Sequence, residues 1–224
     1  MTRRTPTLGL LGVTWLVLAC DARGVSLGTE ELCVLDDQLA IAEGHSGDEH
    51  VSTCARIGDN LLLNAGFEAP LVSSCPLVQD GPFCHFPAAD ITGWQTSSMD
   101  QVIEIWQDEF HGVPAAEGSQ FGELDATSPD TLWQDLELPP GQLMYWSFQH
   151  HGRNGVERLE LLIGPPDALV SIGLFSSDVD AWQTHTGLYR VREDAGSVTR
   201  FALASRTGLA EGNLVDAVVF APVE

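Results

Sequence analysis

From residue 60 onward the chain is written in short apolar runs, separated at roughly ten-residue spacing by Gly, Pro, Asp and Ser clusters. The runs cover 60–64, 102–106, 120–125, 131–138, 143–150, 158–163, 168–175, 182–191, 197–204 and 214–220 and are rich in Val, Ile, Leu, Phe and Trp. Several alternate with period two. Leu159, Leu161 and Ile163 fall opposite Arg158, Glu160 and Leu162, and Phe201 and Leu203 fall opposite Arg200, Ala202 and Ala204. A strand sends successive side chains to opposite faces, so this alternation describes sheets with one face buried. Pro139-Pro140-Gly141, Gly164-Pro165-Pro166 and Asp194-Ala195-Gly196 supply the turns. The pattern predicts an all-β fold, a β-sandwich of two antiparallel sheets over 58–224.

The first 19 residues read differently. Arg3 and Arg4 precede an apolar stretch from Leu8 to Leu18 that ends in Val17-Leu18-Ala19-Cys20. A basic start, a short apolar run and a small residue make a secretory signal, too short to span a bilayer. The end of the stretch resembles a bacterial lipobox, which implies cleavage before Cys20 and lipidation of that residue; the alternative is an ordinary signal cut a few residues later. The expectation is a lipid-anchored protein of the bacterial cell envelope or surface, held by its acyl chains alone. Residues 20–57 form an acidic tether, in which only Glu30 to Ala42 carries weak helical periodicity.

Charge narrows the partners. Asp and Glu total 32 against 10 basic residues, a formal net charge of -22. A field this negative repels phosphate backbones and anionic lipid surfaces, so nucleic acid is not expected as a partner. Every base is Arg, so lysine Schiff-base and P-loop chemistries are excluded.

Beyond Cys20 the chain has Cys33, Cys54, Cys75 and Cys84, an even number suited to an oxidising compartment. Two disulfides are expected. Of three connectivities, Cys33–Cys54 with Cys75–Cys84 closes the shortest loops.

Four stretches then stand in a characteristic order: Asn60-Leu-Leu-Leu-Asn-Ala-Gly-Phe-Glu68, Ile91-Thr-Gly-Trp94, Gly118-Ser-Gln-Phe-Gly-Glu-Leu-Asp125 and Gly212-Asn-Leu-Val-Asp-Ala-Val218. Together they resemble the galactose-binding-domain-like jelly rolls, which include carbohydrate-binding modules and a plant cell-wall family of unknown function. The resemblance covers about 60–220 and implies a jelly-roll topology. It also implies a structural calcium ion where the first and last strands meet, with Glu68 and Asp216 at the carboxylate positions and backbone carbonyls completing the oxygen shell. Hydrogen bonding of the two acids to backbone amides is the alternative.

Aromatic faces stack on sugar rings, and the later chain offers five Trp residues. Trp94 and one of Tyr145 or Trp146 are assigned to the core. Trp106 and Trp133 are the candidates for ligand stacking. His150, His151 and Arg153 place hydrogen-bonding side chains at the end of an otherwise apolar strand and are candidates for the mouth of a ligand site. No hydrolase or metalloprotease motif occurs. Glu123 and Asp125, roughly 6–7 Å apart on one strand face, have glycosidase-like spacing, but alternating acids on so acidic a chain read as a solvated face. The expected function is non-catalytic binding of a cell-surface or extracellular glycan. A protein-interaction module of the envelope is the rival. An enzyme would need two carboxyls converging in a cleft, one of them shifted upward in pKa.

Overall fold

The alternating runs pair into three antiparallel sheets in a computed structural model that describes residues 31–34, 53–75, 81–194, 196–206 and 212–224. The chain divides into two units, Met1–Arg56 and Ile57–Glu224. The signal stretch and Cys20 lie outside the described residues.

In the first unit β1 (Glu31–Val34) pairs with β2 (Thr53–Arg56), and the register sets Cys33 opposite Cys54. Cross-strand pairing here overrides the weak helical periodicity of 30–42, at least over 31–34.

The second unit carries eleven strands: β3 (Phe83–Pro87), β4 (Gln95–Thr96), β5 (Val102–Gln107), β6 (Gln120–Glu123), β7 (Thr131–Glu137), β8 (Leu143–His151), β9 (Glu157–Gly164), β10 (Val170–Ser177), β11 (Gln183–Arg190), β12 (Val198–Ser205) and β13 (Leu214–Pro222). They form a six-stranded sheet, β11-β8-β13-β6-β5-β3, and a five-stranded sheet, β10-β9-β12-β7-β4. All pairings are antiparallel. The result is the all-β sandwich of two antiparallel sheets expected from the alternation, with the jelly-roll fold that the resemblance implies.

Alternation dictates which side chains meet between the sheets. Ile103 and Ile105 of β5, Met144, Trp146 and Phe148 of β8, and Val215, Val218 and Phe220 of β13 face Leu159, Leu161 and Ile163 of β9 and Phe201 and Leu203 of β12 in one buried cluster. Trp94 is fully buried, stacked 5.1 Å from Phe67 with its indole N–H donated to the Asn64 carbonyl. Of the Tyr145 and Trp146 alternatives, Trp146 is the one in the core.

The run at 60–64 is not a strand. Asn60 takes the place of a backbone partner along β13, accepting from the Phe220 amide (2.9 Å) and donating to the Val218 carbonyl (2.8 Å). The Leu61 amide adds a bond to the Phe220 carbonyl. A side-chain amide that can both donate and accept satisfies the strand edge without β geometry. Cys75 and Cys84 are joined in a disulfide, which ties the segment after the Val72–Ser74 turn to β3.

Candidate functional site

Alternation sends the companions of the core residues to the outer face of the six-stranded sheet, and that face has two halves of different character. Over β3, β5, β6 and the start of β13 it is sealed. Trp106 is fully buried in a cluster with Phe121 and Leu214, and Phe83, Phe110, Val113, Ala115 and Trp182 pack against it. The segment between β5 and β6 folds back over the sheet to make this cover. Trp106 therefore presents no face to a sugar, which corrects its assignment as a stacking platform.

Beside Trp106 lies a pair of buried acids. Glu104 and Glu123 stand directly opposite each other in the β5–β6 register, 4% and 0% exposed. Glu104 accepts from the Trp106 indole N–H (2.7 Å) and meets His85 Nε2 at 2.9 Å. Glu123 accepts from Arg153 Nη1 through both oxygens (2.9 and 3.2 Å) and from the Gly212 amide (2.7 Å). Burial, with the Glu104 charge adding to it, pushes the Glu123 carboxyl up to about 9. The hydrogen bond to Glu104 raises His85. Two carboxyls thus converge and one is shifted upward, but both are buried beneath the cover of Phe110, Val113 and Ala115 and line no open cleft. The partner of Glu123 is Glu104 on the neighbouring strand. Asp125 lies past the end of β6 in a turn, so the expected same-strand pair with Glu123 does not form.

Arg153 is committed to this layer as well. Its guanidinium sits 4.8 Å over the Trp106 ring while it pairs with Glu123, so it closes the layer and is not an open fork for ligand. His150 faces the interior, 0% exposed, with Nε2 at 2.9 Å from Asn213 Oδ1. Burial lowers its pKa to about 3. Asn213 in turn donates to Asp125 Oδ2 (2.9 Å) and Ser205 Oγ (3.1 Å). Burial raises Asp125 to about 6. His151 points to the outer face but is 5% exposed, donating Nδ1–H to the Gly152 carbonyl (2.7 Å) beside Trp182. Neither histidine stands at an open mouth, contrary to expectation. The strand β8 runs on through both, which keeps their alternation and buries each on its own side.

Trp133 belongs to the other sheet. On the outer face of β7 it is half-buried beneath Arg200, whose guanidinium lies 4.7 Å over the ring and bonds Asp135 through two nitrogens. The two Trp candidates are therefore on opposite sides of the sandwich and do not form one site.

The other half of the six-stranded sheet is open. The β8–β11 register pairs Gln149 with Thr184, Ser147 with Thr186 and Tyr145 with Leu188, and the three on β8 alternate with the core residues Met144, Trp146 and Phe148. Thr184 is exposed and the other five are half-buried. Gln149 Nε2 donates to Thr184 Oγ1 at 2.8 Å. Trp182, half-buried one step beyond Thr184 on this face, forms the upper rim, and its indole N–H is donated to the Pro114 carbonyl at 2.7 Å. From Trp182 to Leu188 the strip runs six residues, about 20 Å of strand. It presents hydroxyls and an amide between an indole and a phenol, with no charged side chain among them. Alternation of Thr184 and Thr186 with His185 and Gly187 was the available sequence signal for it.

Glu68 and Asp216 both reach the same segment. Glu68 Oε1 accepts from the amides of Ser119 (2.8 Å) and Gln120 (2.9 Å), and Oε2 from the Ser119 hydroxyl (2.8 Å). Asp216 Oδ2 accepts from the amides of Ala116 and Glu117, both at 2.9 Å, and Oδ1 from that of Ala217 (2.7 Å). Burial raises Asp216 to about 7 against the pull of these amides. Donors surround both carboxylates, so the residues present do not fit a calcium ion, which needs six to eight oxygen ligands.

No protein-family model matches the chain, and no curated protein does. Among solved structures it is similar to a family 61 carbohydrate-binding module in complex with β-1,4-galactotriose, with 16% identity and a TM-score of 0.46, covering 73% of this chain and 98% of that one. A family 4 carbohydrate-binding module gives 18% identity and a TM-score of 0.42 over 72% of this chain and 99% of that one. The C-terminal family 22 module of Clostridium thermocellum Xyn10B gives 12% and 0.46 over 62% and 90%. What those modules bind is a property of those modules. The sandwich described here stands on this chain's own strand order.

Proposed function

We propose that the protein is a non-catalytic glycan-binding module, exported and carried on the bacterial cell envelope by a lipidated Cys20, and that the glycan lies along the β8–β11 strip. The observation that carries this reading is the uncharged row of Tyr145, Ser147, Gln149, Thr184 and Thr186 with Trp182 at its rim. Hydroxyl and amide groups both donate and accept, as sugar hydroxyls do, and ring faces complement the C–H faces of a pyranose. A rigid sheet holds these groups in place before binding, which lowers the ordering cost of a weak polar ligand.

Native gels containing a panel of neutral and acidic polysaccharides test the proposal. Retardation by at least one glycan is expected, and Gln149→Ala and Thr186→Val should abolish it while leaving the melting temperature unchanged. If no glycan slows the protein, or if both variants bind as wild type does, the strip is not a glycan site. The rival reading is favoured by Val170 and Leu174, exposed apolar residues on the edge strand β10. It predicts capture of an envelope protein that is lost on Leu174→Glu.

A further inference from the structure

We infer that the junction of the first and last segments of the sandwich is closed by carboxylate–amide clamps, in the place where the motif leads one to expect calcium. Five backbone amides and one hydroxyl converge on Glu68 and Asp216. Four of the five amides come from 116–120, so a single short segment is gripped from two sides. The two acids are drawn to one place: a Cβ added at Gly66 would lie 3.6 Å from Asp216 Oδ1 and 3.9 Å from Glu68 Cγ. Gly118, at φ 64°, lets the segment turn between the clamps, and a side chain there would collide with the Glu68 carboxylate.

Electrostatics favours the amides over an ion. A backbone N–H directs its positive end at the oxygen it bonds, and successive amides in a turn form a concavity that holds an anion. Glu68 Oε1 and Asp216 Oδ2 each accept two such donors, which fills both lone pairs of those oxygens, and Glu68 Oε2 and Asp216 Oδ1 each accept one more donor. A divalent ion seated against them would face the positive ends of four N–H dipoles. The charge normally neutralised by a cation is met here by the backbone. Glu68 and Asp216 are thereby anion partners of the 116–120 segment and take no metal.

The test is made on the full chain, in excess calcium chloride and in EDTA. Equal melting temperatures are expected, with no calcium-binding heat by titration calorimetry. In EDTA the amides of Ala116, Glu117, Ser119 and Gln120 should be protected from hydrogen exchange. Asp216→Asn should remove protection at Ala116 and Glu117 and lower the melting temperature equally in both solutions. A calcium-dependent rise in melting temperature with one-to-one binding, or unprotected amides in EDTA that calcium restores, would overturn the inference. Both comparisons use the wild-type chain, so they stand even if the variant does not fold.

Discussion

Glu104 and Glu123 face each other across adjacent strands of the six-stranded sheet, both buried, one held by Trp106 and His85 and the other by Arg153 and the Gly212 amide. Like charges so placed repel, and the layer is stable because Glu123 keeps its proton and Arg153 lies against it.

That arrangement makes stability depend on pH. A folded Glu123 titrating at about 9, against 4.5 for an ordinary Glu, holds a proton that the unfolded chain has released, so stability falls as pH rises from 4.5 to 9. Asp125, raised to about 6 from 3.8, acts in the same direction over its own window. His150 acts oppositely: lowered to about 3 from 6.5, it costs stability as pH falls through that range. Asp216, raised to about 7 from 3.8, adds to the acids, which together outweigh His150, so the melting temperature should rise from pH 9 to about 4 and turn down only towards 3. Differential scanning fluorimetry across that range checks it, and Glu123→Gln should flatten the alkaline limb.

Removing Arg153 takes a hydrogen-bond donor from both oxygens of the buried Glu123 and uncovers Trp106. Arg153→Ala should cost about 2 kcal/mol in urea denaturation. Adding Glu123→Gln should recover part of the loss, giving a clear coupling energy in the double-mutant cycle. Additive losses would mean that the pair contributes nothing as a pair.

The Cys75–Cys84 bridge closes a loop with a sequence separation of 9. Loop-closure entropy of that size corresponds to about 2.5 kcal/mol. The double Cys→Ala variant should unfold at correspondingly lower urea, and non-reducing peptide mapping should recover the linked pair.

Gly187 sits in β11 against the Trp146 ring, where any Cβ would meet the indole. Gly187→Ala should cost about 1–3 kcal/mol by overpacking. Calorimetry should show it as a lower melting temperature, with the Trp146 near-ultraviolet signal altered.

The strands were legible because alternation is local: nine of the ten apolar runs became strands, and the Cys75–Cys84 pair was readable from loop length alone. The failure at 60–64 came from Asn60, whose side chain imitates a strand partner in a way no propensity reveals. Trp106 shares its parity with Glu104, so the outward direction was readable, but the cover supplied by Phe110, Val113 and Ala115 is a tertiary event. The Glu104–Glu123 contact depends on the register between two strands, which residue spacing within one strand cannot disclose. Arg153 and His150 spend their hydrogen-bonding chemistry on Glu123 and Asn213, distant in sequence, and His151 spends its own on the adjacent Gly152 carbonyl. The β8–β11 strip carries no distinctive signal in the sequence, because Thr on the edge strand β11 and Ser and Gln on its neighbour β8 look like ordinary solvated surface.

Trp182 belongs to both halves of the sheet face, packing on Phe121 on one side and standing beside Thr184 on the other. Trp94, Trp106 and Trp146 are buried and Trp133 lies on the opposite sheet. Its indole is thus a built-in optical probe: anything seated on the strip alters the solvent around one emitting ring while those other four stay dark to the change. A Trp182→Phe variant that silences a ligand-induced shift in emission would map occupancy of the strip without any label.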